Sequence, residues 1–328
     1  MSIKLEFSGL NVVPLVSAMG GATMDVFWKG LDHWDDSVYL GISDDPNHFR
    51  YEINLSNFPA GEPLVQFSKR WDDPGSSHEF NNLIITFTGY SSDEFMQLCA
   101  VLEYIKNNPV IKRTKLVIPY FPGARQDRRD GTPLTVKMYA DIINSFKCDE
   151  VEIWDPHSDV TPALINNCKI VSSADILLPY LYQTGAGVYA GIIAPDAGAA
   201  KKAFKVAQNN NLKFAQASKN RDTATGKLSG FDVPEVEDGT WLVVDDICDG
   251  GGTFLGLADK FFEKNPNSKL HLYVTHGIFT ARGGVKPLLK KYERIITTNS
   301  WDQTKNRQDD DSFQVINLLK QQRKKDNS

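Results

Sequence analysis

The eleven residues Val243-Val244-Asp245-Asp246-Ile247-Cys248-Asp249-Gly250-Gly251-Gly252-Thr253 constrain this chain more than any other stretch. An apolar run ends in two acids, and three glycines and a threonine follow before the helix-patterned segment TFLGLADKFFEKN. Glycines let backbone N–H groups approach an anion closely, and a helix N-terminus adds partial positive charge. A strand that turns into a helix in this way belongs to an α/β sheet, whose ligands gather at the carboxyl ends of the strands. Asp245 and Asp246 would repel an anion held there, so their place is beside hydroxyl groups or a divalent cation.

The rest of the chain fits the same plan. SSDEFMQLCAVLEYIKNN opens on a capping serine and carries Phe95, Leu98, Cys99, Leu102 and Ile105 at helical spacing. KLVIPYF then predicts a buried strand, LTVKMYADIINSF a helix, EVEIWD a strand and TPALINN a short helix. In the second half GVYAGIIAPD, AAKKAFKVAQNN, FAQASK, TWLVVDDI, TFLGLADKFFEKN and LHLYVTH continue the series, with FAQASK and TWLVVDDI as successive strands. Strands alternating with helices of this length imply parallel sheets with helices on both faces. RIITTNSW predicts another strand and turn, and DSFQVINLLKQQRKK a closing helix. Before about residue 90 the pattern is different: KLEFSG, DSVYLGIS, HFRYEINLS and NLIITFTGY read as strands between turn residues, a β-rich region. The polar stretch RDTATGKLSGFDVPEVEDG (221–239) is either a hairpin or a mobile flap.

With 328 residues the chain holds two domains or one large α/β domain. Its 36 basic and 41 acidic residues give a net charge of −5, which argues against a nucleic-acid partner. Apolar runs such as LVIPYF fall far short of the roughly 20 residues of a membrane span. MSIKLEFSG has no apolar core of signal-peptide length, and Cys99, Cys148, Cys168 and Cys248 show no CxxC spacing. A soluble cytoplasmic protein without a membrane partner, zinc site or disulfide frame is expected.

Other residues stand out for their chemistry. VIPYFPGARQDRRD delivers Arg125, Gln126, Asp127, Arg128 and Arg129 at the end of a buried strand, the guanidinium cluster a triphosphate needs for bidentate contacts. The plainer alternative is a solvated basic turn. His157 sits in a polar turn with Asp155 and Asp159, where a metal or phosphate role is favoured over packing. Asp196 precedes Ala197, Gly198, Ala199 and Ala200, small residues that leave room for a cation or a sugar. Lys219 and Arg221 open the long polar stretch, either as solvated cations or as charges that close over a phosphoryl group. His276 either lines the same crevice or packs, and Trp28, Trp34 and Trp71 read as core or interface residues.

The 243–253 stretch resembles the ribose-phosphate loop of type I phosphoribosyltransferases and of ribose-phosphate pyrophosphokinases. VIPYFPGARQDRRD (117–130), WDPHSD (154–159), APDAGAAKKA (194–203) and THGIFT (275–280) resemble signatures of the second family in chain order. The resemblance runs from about Phe58 to Trp301, and the first fifty or so residues lie outside it. It implies two phosphoribosyltransferase-like α/β domains: 1–160 with ATP-binding segments, and 161–328 with the ribose-phosphate loop and the closing helix. It assigns Arg125, Gln126 and Asp127 to ATP, and makes FPAGE (58–62) a cover for adenine, Phe58 stacking and Glu62 as a polar contact. In the family that cover comes from a neighbouring subunit, which implies a homodimer or higher homo-oligomer. Ala60 stands where the family usually has aspartate. By the same resemblance His157 and Asp196 hold magnesium, with manganese as a possible substitute, and Lys219 and Arg221 are catalytic. Asp245, Asp246, Asp249, Gly250, Gly251, Gly252 and Thr253 bind the ribose phosphate. The implied reaction transfers the diphosphoryl group of ATP to the anomeric hydroxyl of ribose 5-phosphate, giving phosphoribosyl pyrophosphate and AMP.

Gly250 departs from the family, which has threonine there. The loss is either neutral or opens the loop to a 5-substituted acceptor such as ADP-ribose. A phosphoribosyltransferase needs no triphosphate site, so the ARQDRR segment, His157 and Asp196 count against it. An inactive regulatory homologue would lose the metal and loop residues that this chain keeps.

Overall fold

The computed structural model describes residues 22–28, 37–40, 51–67, 80–88, 91–108, 111–129, 131–184, 188–221, 228–301, 306 and 311–317. KLEFSG, Trp34, Trp71 and residues 222–227 lie outside the described residues. The chain divides into two compact units, one ending at Ile170 and one running from Val171 to Arg323. The sequence places the boundary at 160/161.

The first unit contains β1 (Ala22–Trp28), β2 (Ser37–Leu40), β3 (Tyr51–Asn57), β4 (Pro63–Phe67), β5 (Phe80–Phe87), α1 (Ser92–Lys106), β6 (Thr114–Ile118), α2 (Thr135–Ser145), β7 (Glu150–Trp154), α3 (Val160–Leu164) and β8 (Cys168–Val171). Its main sheet has the order β1-β5-β6-β7-β8, and β1, β5, β6 and β7 pair in parallel. α1 begins at a capping box: Ser91 Oγ accepts the Glu94 N–H at 3.1 Å, and the Glu94 carboxylate accepts the Ser91 N–H at 2.9 Å. Ile85, Leu116 and Val151 are aligned across β5, β6 and β7, with Ile118 beside Ile153. These alternate residues share one face, and there α1 and α2 bury Leu98, Leu102, Val136, Ala140 and Ile143.

The opposite face is charged. Lys115 Nζ stands 2.8 Å from Glu152 and 3.0 Å from Glu150, Lys169 lies 3.3 Å from Glu152, and Trp154 Nε1 donates to Glu152 at 3.0 Å. Strand order follows chain order from β5 onward, so every right-handed crossover lands on the same side. The small antiparallel sheet β2-β3-β4 joins that side, where Gln97 Nε2 donates to Asn57 Oδ1 at 3.0 Å and Leu55 enters the core.

The second unit contains α4 (Ser173–Thr184), β9 (Tyr189–Ala194), α5 (Ala197–Asn209), β10 (Lys213–Gln216), β11 (Ser218–Arg221), β12 (Leu228–Asp232), β13 (Thr240–Cys248), α6 (Gly252–Lys264), β14 (Lys269–Gly277), α7 (Lys286–Leu289), β15 (Arg294–Thr298) and β16 (Phe313–Ile316). Its six-stranded sheet has the order β10-β9-β13-β14-β15-β16, with every pairing parallel. From β9 the chain steps one way to β10, and from β13 it steps the other way to β14. Right-handed crossovers then put α5 and α6 on opposite faces. On α6's side Phe254, Leu257 and Phe261 pack with Trp241, Val243, Leu272 and Val274.

Two readings of the sequence change here. FAQASK is not one strand: β10 ends at Gln216, and Ser218 starts β11, which leaves the sheet and pairs antiparallel with β12. The start of the closing helix is strand β16, paired in parallel with β15 from Ile295↔Phe313 to Thr298↔Ile316. The open edge of β15 and the β-branched Val315 and Ile316 outweigh the helical spacing of that segment; residues 318–328 lie outside the described set. No helix among the described residues is long and apolar enough to cross a membrane.

Candidate active site

In the second unit the sheet reverses direction between β9 and β13, and open α/β sheets hold ligands at such a reversal, beyond the carboxyl ends of the strands. Three acids lie there. Asp196 caps α5, its Oδ1 accepting the Ala199 N–H at 3.1 Å. At the end of β13, Asp245 Oδ1 accepts the N–H of Asp246 at 2.8 Å. Burial pushes the Asp245 carboxyl well above the usual carboxylate range, and the neighbouring charges of Asp246 and Asp196 push it the same way. Asp246 is buried, and Lys202 Nζ on α5 stands 3.7 Å from its Oδ1.

The glycine loop follows. Gly251 is the N-cap of α6 at φ 74°, a left-handed conformation that a side chain would strain. A Cβ on Gly250 or Gly252 would meet no atom within 4 Å, so both face open space. The loop is strapped to the segment after β14: Cys248 C=O accepts the N–H of Ile278 at 2.9 Å and of Phe279 at 3.1 Å. Thr280 donates its N–H to Asp249 C=O at 3.2 Å and its hydroxyl to the Asp249 carboxylate. Burial pushes the Cys248 thiol up to about 12, with Asp245 and Asp249 adding to the shift, so it is no nucleophile at neutral pH. His276 does not line this crevice. It is 3% exposed, and its Nδ1 lies 2.9 Å from Ser300 Oγ within the packing of β14 against β15. Lys219 and Arg221 are on β11, opposite Phe231 and Leu228, with an irregularity in register between them.

In the first unit two expected loops leave the carboxyl ends of adjacent parallel strands, β6 and β7. After β6, Phe121 and Ala124 anchor a turn in the core, closed by Gln126 N–H to Gly123 C=O at 2.9 Å. Arg125, Gln126, Arg128 and Arg129 are exposed on it. Gln126 Oε1 accepts the Thr135 hydroxyl at 2.6 Å, and Arg128 Nε stands 3.9 Å from the largely buried Asp127 carboxylate. Arg129 borders an open groove of about 960 Å³ that Pro133, Leu134, Lys137 and Met138 also line. After β7, Asp155 is buried at φ 42° and His157 is exposed. The Trp154 N–H donates to Pro119 C=O at 3.2 Å, which ties the two loop bases together. Phe58 and Glu62 are exposed at the tip of the β3–β4 hairpin, held by Phe58 N–H to Glu62 C=O and Gly61 N–H to Phe58 C=O, both at 2.8 Å.

The structure thus gathers Asp196, Asp245, Asp246 and the 249–253 loop at one edge of the second unit. Arg125, Gln126, Asp127 and His157 are at one edge of the first. Lys202 escaped the sequence reading, although a signal existed. Its position lies on the same helical stripe as the buried Ala199, Ala203 and Val206, where a lysine is out of place unless an acid meets it.

Residues 42–146 match the N-terminal domain of ribose phosphate pyrophosphokinase. The chain is 30% identical to ribose-phosphate pyrophosphokinase 3 of Saccharomyces cerevisiae over 219 residues, covering 65% of this chain and 67% of the yeast protein. It belongs to the ribose-phosphate pyrophosphokinase family. Over 254 residues it is 28% identical to the family's protein from Thermococcus kodakarensis, covering 76% of this chain and 85% of that one. The crystal structure of phosphoribosylpyrophosphate synthetase from Mycobacterium smegmatis shares the fold, with a TM-score of 0.69 at 19% identity over 84% of this chain and 89% of that chain. As a member of this family the chain is an enzyme, a diphosphotransferase.

Proposed function

We propose that the chain transfers the diphosphoryl group of ATP to the anomeric hydroxyl of ribose 5-phosphate, releasing AMP and forming phosphoribosyl pyrophosphate for nucleotide biosynthesis. The observation that carries this reading is the acid crevice of Asp196, Asp245 and Asp246 opening onto a strapped glycine loop, in a chain of this family. Backbone N–H groups at Asp249, Gly250, Gly251 and Gly252, with Thr253, take the 5-phosphate at the N-terminus of α6. Asp245 and Asp246 hold the ribose hydroxyls. On the first unit, Arg125, Gln126 and Asp127 take the triphosphate. Phe58 and Glu62 cover adenine from a second copy of the chain in a homo-oligomer. The ribose hydroxyl attacks the β-phosphorus in line, while Lys219 and Arg221 stabilise charge on the phosphoryl oxygens in the transition state. The compartment that fits is the cytoplasm.

Among the described residues no group of three or more His, Cys, Asp or Glu side chains is arranged to hold a metal ion. A metal that takes one or two protein ligands, keeps waters and borrows phosphate oxygens fits such a donor set, and magnesium behaves in this way, with manganese as a substitute. His157 and Asp196 are the residues we assign to it, and when bound it would neutralise charge on the phosphates.

The test is AMP release from ATP and magnesium with ribose 5-phosphate, with ADP-ribose, or with no acceptor, run on wild type and Gly250→Thr. The reading predicts AMP release that depends on ribose 5-phosphate and stops in excess chelator. ADP-ribose as the better acceptor, with Gly250→Thr reversing the preference, would replace ribose 5-phosphate by a 5-substituted acceptor. No AMP with either acceptor overturns the reading.

A further inference from the structure

α5 buries Ala199, Ala203, Val206 and Ala207 against the sheet, and Lys202 lies on that same stripe, three residues after Ala199 and four before Val206. A lysine there places both its stem and its charge against the core, which is tolerated only beside an anionic partner. The partner is Asp246. The lysine side chain is 21% exposed and the aspartate side chain 8%, with 3.7 Å between Nζ and Oδ1. At that distance the contact is ionic rather than a hydrogen bond, so it orients the carboxylate through charge. The other two acids are tied locally, Asp196 to the Ala199 N–H and Asp245 to the Asp246 N–H. Asp246 is tied to a cation from another element, two residues before β13 ends at Cys248 and the glycine loop begins.

We infer that Lys202 is a positioning residue, which acts through Asp246 by holding its carboxylate in one orientation to accept hydroxyls of the ribose acceptor. This rests on the reading of the second unit as the acceptor site. It separates Lys202 from Lys219 and Arg221, which that reading places on the transferring phosphoryl group. Lys202 serves acceptor binding and they serve the rate.

The test is steady-state kinetics on the full chain for Lys202→Gln, Lys202→Met and Lys202→Arg, alone and with Asp246→Asn, alongside thermal melts. Lys202→Gln should raise KM for ribose 5-phosphate about tenfold and leave KM for ATP within about twofold of wild type. Lys202→Met keeps the apolar stem and should reproduce the KM change with a wild-type melt, while Lys202→Arg restores most of the affinity. Adding Lys202→Gln to Asp246→Asn should cost nothing further, since both changes act on one carboxylate. An unchanged KM for ribose 5-phosphate, an equal rise for both substrates, or multiplicative losses in the double variant would overturn the inference. Should wild type fail to turn over ribose 5-phosphate, the functional reading fails instead. Calorimetric binding of ribose 5-phosphate to wild type and Lys202→Met then decides the role of Lys202: weaker binding in the variant supports it, and equal binding or none in both overturns it.

Discussion

The two parallel sheets of this chain are built from the same strand-helix alternation and end in different sites. In the first unit strand order follows chain order from β5 to β8, so its right-handed crossovers fall on one side, and the other face carries the Lys115–Glu150–Glu152–Lys169 charge network. In the second, the order reverses at β9, α5 and α6 lie on opposite faces, and Asp196, Asp245 and Asp246 gather at the reversal. The difference lies in topology rather than composition. A sheet wound one way offers loops along an edge, suited to an extended anion. A sheet that reverses offers a crevice, suited to a small polyol with a terminal phosphate.

That contrast is broken most severely at Lys219, on the hairpin that leaves the second sheet. Lys219→Ala should lower kcat by about 100-fold or more with little change in KM for either substrate, because charge stabilisation confined to the transition state affects rate and not ground-state binding. A rise in KM alone, measured by initial rates, would make it a binding residue. A smaller and more diagnostic effect comes from pairing one residue of each unit. Arg125→Ala should raise KM for ATP about tenfold and spare ribose 5-phosphate, and Asp246→Asn should do the reverse. If both variants shift both constants alike, the two edges do not divide the substrates. The smallest effect is in the loop itself. Gly251→Ala puts a Cβ on a residue at φ 74°, about 3.5 Å from the Leu288 side chain, so strain of about 1 kcal/mol comes from the backbone and not from a clash. Gly250→Ala meets open space and should leave the thermal melt unchanged. Equal losses at the two positions would show that the left-handed turn does not shape this loop.

Much of the second unit was legible because its motif residues sit where chain direction changes. Val243 and Val244 are buried strand residues, the acids follow among the last residues before the strand ends at Cys248, and Gly251 takes the left-handed turn into α6. The polar stretch after Arg221 read equally as a hairpin or a flap, and only the antiparallel pairing of Leu228–Asp232 with β11 decides for the hairpin. Residues whose role depends on a distant partner were not legible. Phe313–Ile316 forms a strand only because β15 offers an open edge, and Thr280 straps the glycine loop only because β14 ends beside it. β1 and β4 were missed because ATMDVFW and PLVQF pair with β5 and β3 through contacts no local pattern announces. His276 was left between two roles, and its burial against Ser300 decided for packing. Lys202 was passed over because its meaning requires α5 to lie over β13, a fact of packing and not of spacing.

The central claim is that this chain moves a diphosphoryl group to a sugar hydroxyl held at the second unit's crevice. Phosphorus NMR of a reaction with ATP, magnesium and ribose 5-phosphate tests it most directly. The account predicts AMP and a new diphosphate on the anomeric carbon appearing in equal amounts, with neither formed in Lys219→Ala on the same timescale. ADP with a sugar bearing a single new phosphate would mean attack at the γ-phosphorus, and would contradict it.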